Sequence, residues 1–110
     1  MHCITIEPEE STRHCGSIID WFLMEYLSDY GIDLIVEHLD LSDEGVTGWC
    51  MKIGVNEYVI QVHNQLEGEE YTSTILHELY HVYQHLKKQP QCEICAYKAE
   101  QMLLDRITNT

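Results

Sequence analysis

Ile75-Leu76-His77-Glu78-Leu79-Tyr80-His81-Val82-Tyr83-Gln84 is the stretch on which the fold of this chain turns. From Tyr71 to Lys87 there is no Gly or Pro, and Ile75, Leu79, Val82 and Leu86 recur at helical spacing, so the segment reads as an amphipathic helix. Residues four apart share a helix face, which lets His77 and His81 present two imidazole nitrogens to one metal ion. Glu78 projects about 100° round the helix from His77, within reach of a water at that ion. The histidines lie away from the deepest apolar stripe, with Gln84 on the side of His77. Acidic Glu69 and Glu70 precede the helix, Thr72, Ser73 and Thr74 offer N-cap hydroxyls, Lys87 and Lys88 close its last turn, and Pro90 ends it.

Downstream, Lys87 to Gln91 turns the chain and Gln91 to Ile107 reads as a second helix running back. Glu93, Tyr97 and Glu100 follow the i, i+4, i+7 pattern and share one face. A symmetric helical hairpin brings Glu100 level with the histidines; an asymmetric loop brings Glu93 there instead. Ala96 and Ala99 are small enough for close approach of the two helices. His85 continues the histidine row, but it lies about 12 Å along the axis from His77, too far for one ion to bridge. Cys92-Glu93-Ile94-Cys95 is a CxxC; no second ligand pair follows it and a helix with a Pro turn precedes it, so its thiols are expected to be buried in the helix.

Upstream, residues 3 to 6 form a short β-prone run and Pro8 to Gly16 a polar connection. Ile18 to Tyr30 reads as an amphipathic helix stopped by Gly31. Ile32 to Leu39 is a strand, and Val46 to Ile53 and Tyr58 to His63 are two more, joined by the hairpin signal Gly54-Val55-Asn56-Glu57. The class is therefore α+β, in one domain spanning residues 1–110.

Ile75 to Gln84, followed by Glu93-Ile94-Cys95-Ala96-Tyr97, resembles the active-site region of small gluzincin-type zinc metallopeptidases, with their HExxH and ExxA motifs. The extended HExxHxxQ form is similar to minimal zincin-like proteins of bacteria and their phages. The resemblance covers residues 75 to 97. It implies Zn²⁺ held by His77, His81 and Glu93, with Glu78 as the general base that activates water for peptide-bond hydrolysis. It also implies a small zincin-like core: an N-terminal helix, a three- to four-stranded sheet, the HExxH helix and a closing C-terminal helix. Glu100 remains the alternative third ligand, and whichever carboxylate is not the ligand orients a histidine from behind. Many gluzincins carry an acidic residue four positions after the ligand Glu, where this chain has Tyr97. In zincins an extended substrate pairs with an edge strand beside the cleft; Tyr58 to His63 is expected to be that edge, with Gln61 or His63 near substrate. The oxyanion donor is one of Tyr80, Tyr83, Tyr97 and His63.

Nineteen Asp and Glu stand against six Lys and Arg in the 110 residues, a formal net charge of −13. Such a surface repels nucleic acid and anionic membranes and attracts basic substrates or partners. Five cysteines, an odd count, fit reduced thiols, and no basic start followed by an apolar run marks a signal peptide. The most apolar stretch, Ile18 to Leu27, contains Asp20 and Glu25 and is too short to span a bilayer. These features lead us to expect a cytoplasmic protein, and the resemblance implies a hydrolase acting on a peptide or protein substrate. The alternatives are a zincin-fold metal-binding interaction or regulatory module and a metal-independent helical adaptor. Oligomeric state is open.

Overall fold

The computed structural model describes residues 2–8 and 14–109. Its strands are β1 (Cys3–Glu7), β2 (Asp33–Leu39), β3 (Gly48–Gly54) and β4 (Glu57–His63). Its helices are α1 (Cys15–Tyr26), α2 (Gly68–Leu86) and α3 (Glu93–Thr108), with a short 3₁₀ turn at Ser42–Glu44. The described residues thus form a compact α+β fold of three α-helices and one four-stranded mixed sheet. The polar connection expected over Pro8 to Gly16 is shortened by α1, which begins at Cys15; residues 9–13 lie outside the described residues.

The sheet order is β1-β2-β4-β3. β1 runs parallel to β2, with α1 as the crossover between them, and β2 runs parallel to β4. Only β3 is antiparallel, paired to β4 through the two-residue turn Val55-Asn56. The expectation that Tyr58–His63 is an edge strand is therefore wrong: β4 lies inside the sheet, whose edges are β1 and β3. Ile35 and Val59 carry the reason. With their neighbours they make β2 and β4 apolar on both faces for several residues, as inner parallel strands are.

Alternation decides which face is buried. Leu34, Val36, Tyr58, Ile60 and Val62 are buried on the helix side, while every intervening residue of β2 and β4 is exposed or half-buried. They form one core with Phe22 and Leu23 of α1 and Ile75, Leu76 and Leu79 of α2. α2 is the hub of the molecule and packs against α1, α3, β3 and β4.

Two of the helix boundaries that differ from their sequence reading have a local cause. α1 stops at Tyr26, four residues early: Leu27 still donates its N–H to Leu23 O at 2.9 Å, but its φ of −134° leaves the helix, and its side chain is buried before the turn at Ser28-Asp29. α2 starts at Gly68 with Glu67 as its extended N-cap, so Thr72, Ser73 and Thr74 lie inside the helix. The hydroxyls of Thr72 and Ser73 bond back to Gly68 O (3.3 Å) and Glu70 O (3.2 Å) instead of capping. Among the described residues no helix is long and apolar enough to cross a membrane.

Candidate metal centre

α2 carries His77 and His81 into its contact with α3, and both are nearly buried, at 7% and 8% exposure. Their ring centroids lie 5.0 Å apart. Glu93, the first residue of α3, brings Oε1 to within 3.5 Å of His77 Nε2 and closer still to His81 Nε2. One ligand atom from each of the three residues lies within 4.8 Å of the others.

The far ring nitrogens are also engaged. His81 Nδ1 lies 2.8 Å from Gln84 Oε1, and His77 Nδ1 lies 3.6 Å from Glu100 Oε1. An acceptor at Nδ1 favours the tautomer with its proton there, the form in which Nε2 is free to bind an ion. Both carboxylates weighed from the sequence therefore reach the histidines, at different nitrogens. Gln84 is buried at 1% exposure, and its amide N–H₂ also donates to Cys92 O at 3.4 Å, tying His81 to the start of α3. The chain reverses through Lys88, which takes a positive φ of 56°, and the N–H of Gln89 bonds Gln84 O at 2.8 Å. This asymmetric return sets Glu93 opposite His81 and Glu100 opposite His77.

Glu78 is 5% exposed and lines the same cleft. Burial, then the neighbouring carboxylates Glu93 and Glu100, push its carboxyl up to about 8. Burial also raises Glu100, and the nearby His77 opposes that rise. Gly48 lets α2 approach β3 closely at Thr74, beside Glu78. A Cβ there would stand 3.0 Å from both Gln61 O and Thr74 Cγ2 and 3.4 Å from Glu78 Oε2. An isolated Gly in a strand signals such close approach, and this one escapes the sequence reading.

The cleft has a volume of about 400 Å³ and is walled by residues 45–48, Glu70, Thr74 and the α3 face of Glu93, Tyr97 and Glu100. Of the four candidate oxyanion donors only Tyr97 lines it, with its ring 4.7 Å from that of His77. Tyr80 and Tyr83 stack on each other outside the cleft. His63 accepts the Leu41 N–H at Nδ1 (3.0 Å), and Gln61 bonds Trp49 and Glu37 on the other side of the sheet, so neither is placed to meet substrate. His85 packs 5.7 Å from the Tyr58 ring and stays out of the cluster. Cys92 and Cys95 are not buried thiols. They are bonded to each other as a disulfide across the first turn of α3, Cys92 half-buried and Cys95 exposed. Cys3, Cys15 and Cys50 are free.

Two imidazole nitrogens and one carboxylate oxygen, with both imidazoles contacted from behind, form a group that could hold a metal ion. Without an ion the same atoms form a His–Glu ion-pair cluster. Comparison of the chain with protein-family models, curated proteins and solved structures finds no match.

Proposed function

We propose that this chain is a zinc-dependent metallopeptidase with a minimal zincin-like core. The observation that carries the reading is the convergence of His77 Nε2, His81 Nε2 and Glu93 Oε1 beside the buried carboxyl of Glu78. His77, His81 and Glu93 hold the ion; Gln84 and Glu100 orient the two imidazoles. Zinc supplies Lewis acidity, making water acidic near neutral pH and polarising a carbonyl oxygen. Glu78 accepts the proton of the attacking water and returns it to the leaving amide nitrogen. Burial raises its proton affinity in the ion-free chain, and a cation beside it draws that back down, toward the ionised form a base needs. Tyr97 offers its hydroxyl at the cleft wall toward a developing oxyanion. The substrate is a peptide or protein segment.

The test separates metal from chemistry. Purified protein carries about one Zn²⁺ per chain, lost in His77→Ala and His81→Ala. Glu93→Gln weakens zinc binding far more than Glu100→Gln. Glu78→Gln keeps the metal and loses hydrolysis of a peptide library. Absence of zinc from protein never exposed to chelator overturns the reading.

A second reading is a metal-binding or regulatory module without peptidase activity. It is favoured by one contact: Glu93 Oε1 already pairs with both imidazoles, so the cluster is satisfied as an ion pair. Equal, negligible cleavage by wild type and Glu78→Gln, with zinc bound, selects it.

A further inference from the structure

All three helices lie on one side of the sheet, and no described element covers the other. The strand register sorts that open face into rows. Thr5, Ile35, Val59 and Met51 are consecutive partners across all four strands and form a central row, apolar from Ile35 to Met51. On one side of it lies the row Glu7, Glu37, Gln61 and Trp49; on the other lie Asp33 and Glu57. Neighbouring rows are about 6.7 Å apart, and Ile35 to Met51 spans about 10 Å. An apolar stripe is thus bracketed by carboxylates on both flanks. The only Lys or Arg on the four strands is Lys52, whose register with Tyr58 assigns it to the helix side.

The stripe is exposed at its β3 end, half-buried at Ile35 and Val59, and flanked by a side chain held in place. Met51 is 40% exposed, and Ile53, beside the bulge of β3, is 58% exposed. The indole N–H of Trp49 donates to Gln61 Oε1 (2.5 Å), and the amide of Gln61 donates in turn to Glu37 Oε1 (2.9 Å). Trp49 is therefore held in place with its ring partly open to solvent, so a partner meets an aromatic surface that loses little freedom on contact.

We propose that this face docks a basic amphipathic polypeptide: a segment with apolar side chains along its centre and Lys or Arg on both flanks. Charge selects the occupant. A second copy of this chain brings the same acidic rows and a further −13, and an anionic membrane is repelled likewise. A cationic, apolar-striped segment covers Ile35, Val59 and Met51 while pairing with Glu7, Glu37, Asp33 and Glu57. The site is on the opposite side of the sheet from the metal cleft, and the proposal does not depend on metal or hydrolysis.

The experiment is an NMR titration of the ¹⁵N-labelled full chain with a synthetic helical peptide bearing a Leu stripe flanked by Lys. A scrambled peptide of the same composition and a Leu-stripe peptide flanked by Glu are the controls. The expected result is shifts at the Trp49 indole and at the amides of Ile35, Met51 and Val59, with binding at least about tenfold tighter than to either control. Met51→Asp, at an exposed position, lowers that affinity about tenfold, and the double variant Asp33→Lys, Glu57→Lys does the same by charge alone. Equal binding of the scrambled peptide, or shifts confined to the cleft residues, overturns the proposal. So does a salt-insensitive dimer in sedimentation that Met51→Asp dissociates, and so does binding to anionic vesicles.

Discussion

Glu78 sits where its own charge is costly: it is walled by Gly48, and two other carboxylates lie nearby. Its folded value is raised, from 4.5 to about 8, so the protonated acid is the form that favours the fold. In metal-free protein this stability is complete below about pH 4.5 and is lost as pH rises through about 8. Glu78→Gln removes the titration. The melting temperature of metal-free Glu78→Gln is therefore expected to gain on wild type across that window, by an amount worth a few kcal/mol. Parallel pH curves for the two proteins would mean the carboxyl is solvated. The free cysteines supply a second test at this scale. Burial, then Glu78, pushes Cys50 up to about 12, and burial raises buried Cys15 against an opposing bond from Tyr71. Cys3 is exposed. Mass spectrometry after brief alkylation at pH 8 is expected to find label on Cys3 and little on Cys15 or Cys50 until the chain is denatured. Uniform labelling of all three would contradict the packing of β3 on α2.

α3 acts on the centre through its first turn. Glu93 begins the helix, at a position where helices fray, and three contacts steady it: the Cys92–Cys95 disulfide, the Cys95 N–H on Cys92 Sγ, and Gln84 on Cys92 O. Cys92→Ser with Cys95→Ser is expected to weaken zinc binding about tenfold in a chelator competition, with the melting temperature of the metal-free protein little changed. Unaltered zinc affinity would show that α2 alone positions Glu93. Further along, Ala96 and Ala99 are buried against α2 at 0% and 8% exposure. Ala96→Leu forces the helices apart and is expected to cost about 1–3 kcal/mol in denaturant unfolding. No loss would mean that α3 docks loosely. The pair of alanines is legible in the sequence as a close-packing signal, and the structure uses it so.

On the scale of the whole molecule, a formal charge of −13 is compressed into a small fold, and four carboxylates (Glu70, Glu78, Glu93 and Glu100) line one cleft. Self-repulsion opposes that compact state, and a dication bound as proposed would relieve it while joining α2 to α3. Removing metal with a chelator is expected to lower the melting temperature, and added salt to recover part of the loss by screening. A melting temperature indifferent to chelator would leave the cluster as an ion pair only. The same acidity gives the open sheet face its sign, since no basic residue of the strands offsets its carboxylates.

Much of this is legible in the chain alone, for a physical reason. Periods of two and of 3.6 residues arise from local backbone geometry, so α2, the hairpin and the inner residues of β2 and β4 follow from a few consecutive side chains. The pairing of His77 with His81 and the nearness of Glu78 are of this kind, needing only that the segment be helical. Non-local contacts are different. Whether Glu93 or Glu100 faces Nε2 depends on how the chain turns through Lys88, and Gln84 gains its role only once Cys92 lies beside it. Gly48 matters because α2 passes over it. The interior position of β4 is set by β2 pairing from the other side, across a long stretch of chain. Each depends on which distant surfaces meet, and that is settled by packing a whole core at once, through tertiary structure.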